Sequence, residues 1–298
     1  MALVGFSLLA LLSFYTTGEI LLLHGWMGSG TSWTVSKHLL REEPYLVDPE
    51  EVLTPSLPNR ASLVTWVGNI ASYLDGLPAE ARVTVVAHSF AGPASLLLVV
   101  ASRHMEEGDF EVWAGSLVDK DSALHEISSA LLVLDDRKVW VRAAGRISKL
   151  FLYQPALGGG CLACSACGKA PLPPSMPEPV GEIVSSVVCD DAVRDMCLLT
   201  TTKSILFDRG EIASLEVPVV NIYAVNESCT GPCLGASFPS TDGYVPLTEQ
   251  RLFLSGPNYR EVSGGNHCHL DLILNLGGAA EALFRIVYPS GRVPEACR

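Results

Sequence analysis

Short, unbroken apolar runs recur along this chain, each followed by a stretch with helical spacing, and few architectures accommodate that alternation. EILLLH (19–24), VTVVA (83–87), KLFLYQ (149–154) and VPVVNIYAV (217–225) read as strands buried on both faces. Tyr259–Val262 makes a last one, and YLVDPEEVLTPSLP (45–58) reads as a strand with its loop. Helical periodicity covers Ser32–Leu40, Ala61–Leu74, Gly92–His104 and Leu270–Tyr288. Segment 105–138 is charged, with a helical middle in ALHEISSALLVL. The pattern predicts an α/β fold, a mostly parallel central sheet with helices on both faces.

One connection is too long for an ordinary crossover. About sixty residues rich in Cys, Pro and Ser separate the strands ending at 154 and starting at 217. Residues 158–215 are therefore expected to form a lid or cap insertion. The 298 residues, 48% hydrophobic, suffice for a large core. A net charge of −12 with no Lys/Arg block argues against nucleic acid and against a basic membrane-binding patch. Ala2–Tyr15 is apolar, too short to span a bilayer and about the length of a signal-peptide core, although a basic start and an Ala-x-Ala site are missing. The expectation is a signal peptide over 1–17, one domain over 18–298, and a secreted or extracytoplasmic protein.

Nine cysteines agree with an oxidising compartment. GCLACSACG, with Cys161, Cys164 and Cys167, invites a metal reading, but Cys189 and Cys197 supply no second CxxC, and disulfides are the better expectation. The odd count leaves one thiol free or pairs it between chains.

In a parallel sheet, reactive groups collect in the loops at the carboxyl ends of the strands. Three sets of residues stand at such ends. In AHSFAG (87–92), Ser89 leaves a strand and enters a helix at once, flanked by small Ala87 and Ala91. A serine there is either a helix cap or a nucleophile on a sharp turn. HGWMGSG (24–30) is a glycine-rich loop whose N–H groups can turn toward a ligand, or an ordinary strand-to-helix loop. Asp242 in STDGYVP and His267 and His269 in GGNHCHLDLI come late in the chain. Each alone is an unremarked turn or loop residue, but together they complete the order Ser, Asp, His that an acyl-transfer triad needs.

HGWMG (24–28), AHSFAG (87–92), LFLYQPALGG (150–159), DGYVP (242–246) and HLDLI (269–273) resemble the α/β-hydrolase family, and within it the small secreted bacterial triacylglycerol lipases and esterases. The resemblance runs over most of residues 19–288. It departs from the family in having Ala at both places where the nucleophile elbow usually has Gly. It implies Ser89 as nucleophile, Asp242 as acid and His269 as base, with the N–H groups of Trp26 and Phe90 as oxyanion hole. His267 is the alternative base, because Gly264-Gly265-Asn266-His267 resembles the approach to the base in other α/β-hydrolases. The resemblance makes Asp271 a candidate for helping to hold a structural calcium, but its carboxylate partner is not identifiable, and the expectation is no metal and no cofactor. The implied substrate is a lipid or small hydrophobic ester, with contact to lipid interfaces, and Trp26, Met27 and Phe90 are expected around the acyl group.

The acid and base loops must meet for such a triad to form. A disulfide from Cys268 to Cys229 or Cys233 is therefore expected, the alternative being a local Cys229–Cys233 bridge. Two further functional classes share the scaffold: acyltransferases or thioesterases, and non-catalytic binding proteins, which typically lack one triad member.

Overall fold

A computed structural model describes residues 19–160, 163–169, 189–226, 228–229 and 240–289. Six strands form one sheet in the order β2-β1-β3-β4-β5-β6, with every neighbouring pair parallel. They are β1 (Ile20–Leu23), β2 (Val52–Leu53), β3 (Val83–His88), β4 (Ile147–Tyr153), β5 (Val219–Tyr223) and β6 (Tyr259–Ser263). Each lies within or beside an expected run. A parallel strand covered on both faces needs apolar residues at nearly every position, and that signal is what the inner strands β1, β3, β4 and β5 display.

Successive side chains of a strand point to opposite faces, so each strand feeds two cores. Leu21, Leu23, Val83, Val85, Ala87, Leu150 and Leu152 face the larger one. Ile20, Leu22, Val86, Phe151, Tyr153, Val220 and Ile222 face the smaller. The smaller is closed by Trp33, by Leu40 of α1 (Thr34–Arg41), and by Leu283 and Phe284 of the last helix. The larger is covered by α2 (Leu63–Asp75), α3 (Ala91–Glu107), α4 (Phe110–Lys120), α5 (His125–Leu132) and α6 (Arg137–Gly145). Two helices, α4 and α5, therefore lie in the region 105–138 where the sequence shows one helical middle among charged loops, and α6 begins at its end.

Two disulfides tie together the segment expected to be a lid. Cys164, in the single turn α7 (Ala163–Ala166), bonds Cys197 of α8 (Asp191–Leu206), and Cys167 bonds Cys189. Closing loops of 33 and 22 residues removes about 3–4 kcal/mol each from the unfolded chain in the loop-entropy account. These pairings use Cys164 and Cys167 as half-cystines, in place of the metal reading. Leu199, Leu206 and Phe207 are fully buried in the larger core, as is Ile212 of α9 (Arg209–Ala213). The described part of 191–213 is thus core-forming helix. Residues 161–162 and 170–188 of the expected lid, the expected signal peptide, Cys233 and Cys297 lie outside the described residues.

Beyond β5, a short helix α10 (Leu247–Gln250) precedes β6. The single helix expected over Leu270–Tyr288 is two: α11 (Asp271–Leu274) and α12 (Ala279–Val287). Asn275, Gly277 and Gly278 between them all take positive φ, a conformation that cannot continue a right-handed helix. No helix among the described residues is long and apolar enough to cross a membrane.

Candidate active site

The strand register aligns the carboxyl ends of the sheet. Leu23 pairs with Ala87, His88 with Tyr153, and Tyr153 with Ile222, so His24, Ser89 and Gln154 emerge side by side. Ser89 is the turn itself, with φ +56°, the left-handed region that costs a non-glycine residue energy. Its N–H donates to Tyr153 O (3.2 Å), and its carbonyl accepts from Gly92 (2.9 Å) and Ala156 (3.1 Å). The N-cap of α3 is Phe90, with no side-chain cap bond, so the Ser89 hydroxyl is not spent on capping the helix.

Close approach explains two glycines. A Cβ on Gly25 would lie 2.5 Å from Ser89 Cβ, and one on Gly92 would lie 2.5 Å from Pro155 Cβ. Ala87 and Ala91, where the family pattern has Gly, are both fully buried, and the tight contact beyond the serine has moved to Gly92.

His269 Nε2 lies 2.9 Å from Ser89 Oγ, and its Nδ1 lies 2.7 Å from Asp242 Oδ2. Asp242 is fully buried, and its other oxygen accepts N–H bonds from Tyr244 (3.0 Å) and Val245 (2.8 Å). With a carboxylate on Nδ1, the proton sits on that nitrogen and leaves Nε2 as an acceptor facing the serine. His267 is elsewhere: its ring packs near Gly265 and Gly277, its buried Nδ1 has no partner among the described residues, and its carbonyl accepts from Gln154 Nε2 (3.3 Å). The Cys229–Cys268 disulfide joins the Asp242 side to the residue before His269, one of the two pairings expected for Cys268.

The glycine-rich loop is held from beneath by His24. Leu57 N–H donates to its Nε2 (2.8 Å), which places the ring proton on Nδ1, directed at Gly25 O (2.8 Å). Burial lowers the His24 pKa below its ordinary value, so the ring stays neutral in this role. The N–H groups of Trp26 and Phe90 have no hydrogen-bond partner among the described residues. Phe90 does not frame an open acyl site, because its ring is fully buried edge-on to Trp66, 5.2 Å between centroids. Met27 is 70% exposed, and Leu270, Leu274 and Leu276, on the segment that follows His269, are exposed as well.

Three positions without an assigned role in the sequence reading turn out to support the site. His88 contacts His269, Gln154 anchors the loop before it, and Gln250 bonds both Ala224 and Val245 and so braces the Asp242 loop against the end of β5. Only His88 had a signal, a polar ring at the buried end of a strand. Asp271 accepts the Cys268 N–H at 2.7 Å, so its carboxylate is engaged in its own turn. Among the described residues, His104, Glu107 and Asp109 bring three metal-ligand atoms within 4.8 Å of one another. They sit at the end of α3 away from Ser89, where His104 pairs with Asp109 and Glu107 with Arg103.

No family model and no curated protein matches this sequence. Among solved structures, the mature form of the Bacillus licheniformis lipase BlEst2 superposes with a TM-score of 0.53 at 14% identity, over 91% of each chain. Its propeptide form gives 0.50 at 13% identity, over 91% of this chain and 50% of that one. At that identity the likeness is one of fold, and with the parallel sheet it shows that the chain has an α/β-hydrolase fold similar to that of a bacterial lipase.

Proposed function

We propose that this chain is a serine hydrolase cleaving carboxylic esters with hydrophobic acyl chains. Ser89 is the nucleophile, His269 the base, Asp242 its carboxylate partner, and the N–H groups of Trp26 and Phe90 the oxyanion hole. One observation carries the reading: a hydrogen-bond chain from Asp242 through His269 to Ser89, 2.7 and 2.9 Å long, ends on a serine at φ +56°. Backbone strain of this kind concentrates where chemistry needs a side chain presented at a fixed angle.

As Ser89 Oγ attacks the ester carbonyl, His269 Nε2 takes its proton, and the buried Asp242 carboxylate stabilises the imidazolium. The two N–H groups receive the oxyanion, His269 returns the proton to the departing alcohol, and an acyl-enzyme remains. Water, deprotonated by the same imidazole, then releases the acid. No cofactor enters these steps. Exposed Met27, Leu270, Leu274 and Leu276, on the segments that carry the oxyanion and base residues, support an apolar acyl chain and contact with lipid interfaces. The lipase named among the structural neighbours is consistent with this substrate class. The three disulfides among the described residues support a secreted or extracytoplasmic location, and the net charge of −12 speaks against nucleic acid.

The test is a panel of p-nitrophenyl esters of graded acyl length, hydrolysed by wild type and Ser89→Ala. Wild type should turn over the longer acyl esters, and the variant should lose on the order of 10⁴-fold or more in kcat. A variant that keeps most of the rate, or a wild type inert to every ester, contradicts the proposal.

A further inference from the structure

Every polar group of His269 has a partner. Its Nδ1 and Nε2 meet Asp242 and Ser89, and its backbone N–H donates to Asp242 O at 2.9 Å. Its carbonyl oxygen lies 3.1 Å from His88 Nε2. A carbonyl only accepts, so that nitrogen of His88 carries a proton and donates it.

His88 is the last residue of β3, 5% exposed, and its ring lies against the ring of His269, 4.7 Å between centroids and tilted 36°. Trp33 stands edge-on to it at 6.4 Å and Tyr153 packs beside it at 6.1 Å. Burial, with the neighbouring His269 as the next cause, pushes the His88 pKa well below its ordinary value. The ring is therefore neutral, and a neutral ring can lie against the imidazolium that forms on His269 without opposing it.

We infer that His88 is a positioning residue for the base, fixing the backbone of His269 through its Nε2–H and the tilt of that ring by stacking. The inference rests on the assignment of His269 as base. Its physical logic is economy of reference points. His269 sits in a loop outside regular structure, whereas His88 ends the inner strand β3 and Ser89 is the turn that follows it. One peptide bond thus separates the nucleophile from the donor that holds its base. Displacing a catalytic group by about 1 Å costs on the order of 100-fold in rate.

The test compares His88→Phe, which keeps a ring face without the donor, with His88→Gln, whose amide nitrogen reaches the position of Nε2. Three quantities are read: kcat, KM, and the far-downfield proton resonance of the His269 Nδ1–H bonded to Asp242. His88→Phe should lose about 10- to 100-fold in kcat with KM little changed, and its resonance should broaden or vanish. His88→Gln should regain most of kcat and the resonance. If near-UV circular dichroism shows His88→Phe to be unfolded, His88→Asn, whose amide falls short of the carbonyl, takes its place with the same expectation. Equal kcat in wild type and the donor-less variant overturns the inference, as does equal loss in the Phe and Gln variants with the resonance intact in both. Ser89→Ala, assayed alongside, separates the two levels: if it retains activity, the triad assignment itself falls, whatever His88 does.

Discussion

Gly25 and Ser89 share a space that admits one side chain. The hydroxyl of Ser89 occupies it, and a methyl on Gly25 would stand 2.9 Å from Oγ and 2.5 Å from Cβ. Gly25→Ala must therefore shift either the glycine-rich loop or the nucleophile. Overpacking of this kind costs about 1–3 kcal/mol, and the displacement should lower kcat/KM by about 100-fold or more. Denaturant unfolding and ester kinetics on the same preparation check both. A fully active Gly25→Ala would mean that the loop does not abut the nucleophile as described. At this scale the sequence was legible where chemistry demands a residue type in a set order, as with Ser89, Asp242 and a late histidine. The choice of His269 over His267 came from the resemblance of HLDLI and not from the residues themselves, because two residues on an irregular loop differ only in where the backbone turns. That turn is set by Gly265 at φ +98° and by the Cys229–Cys268 bond, neither of which has a local signature.

Asp195 couples two elements that sequence reading left unrelated. It lies in α8, 4% exposed, and its carboxylate accepts the Leu63 N–H at 2.6 Å, at the start of α2. Burial raises its pKa to about 6 from 3.8. The folded state therefore takes up a proton between about pH 6 and 4 that the unfolded chain does not. Acidification through that window relieves the buried charge, and the carboxylate is costliest above pH 6. Asp195→Asn keeps an acceptor for Leu63 and removes the charge. It should stabilise the protein by about 1–3 kcal/mol at pH 8, a gain that fades to near zero below pH 4. Urea unfolding at the two pH values reads it directly, and a destabilised variant at pH 8 would show that Leu63 requires the charged carboxylate. Strands β1, β3, β4 and β5 stood out because each carries a largely apolar run, whereas the edge strands β2 (two residues) and β6 (YREVS) give a weaker signal. The helices of 191–213 did not, since α8 has Thr200, Thr201 and Thr202 in its middle and owes its position to packing and two disulfides. The break at Asn275 escaped for a similar reason: Leu276 preserves the apolar spacing across residues whose positive φ ends the helix.

For the molecule as a whole, two cores clamp a parallel sheet, and buried polar groups converge at its carboxyl edge. His24, His88, Ser89, Asp242 and His269 are each less than 9% exposed, yet all five side chains have hydrogen-bond partners there. A fold that places so much buried polarity at one edge, around one strained serine, has concentrated its cost at that position. The central claim is that this serine is activated by His269. Labelling with a fluorophosphonate, in which Ser89 Oγ bonds phosphorus and fluoride leaves, tests it most directly by peptide mass. Wild type should acquire a single adduct on Ser89, and Ser89→Ala none. His269→Ala should label on the order of 100-fold more slowly or worse, and His267→Ala at close to the wild-type rate. An adduct on another residue, or fast labelling of Ser89 in His269→Ala, would contradict the account.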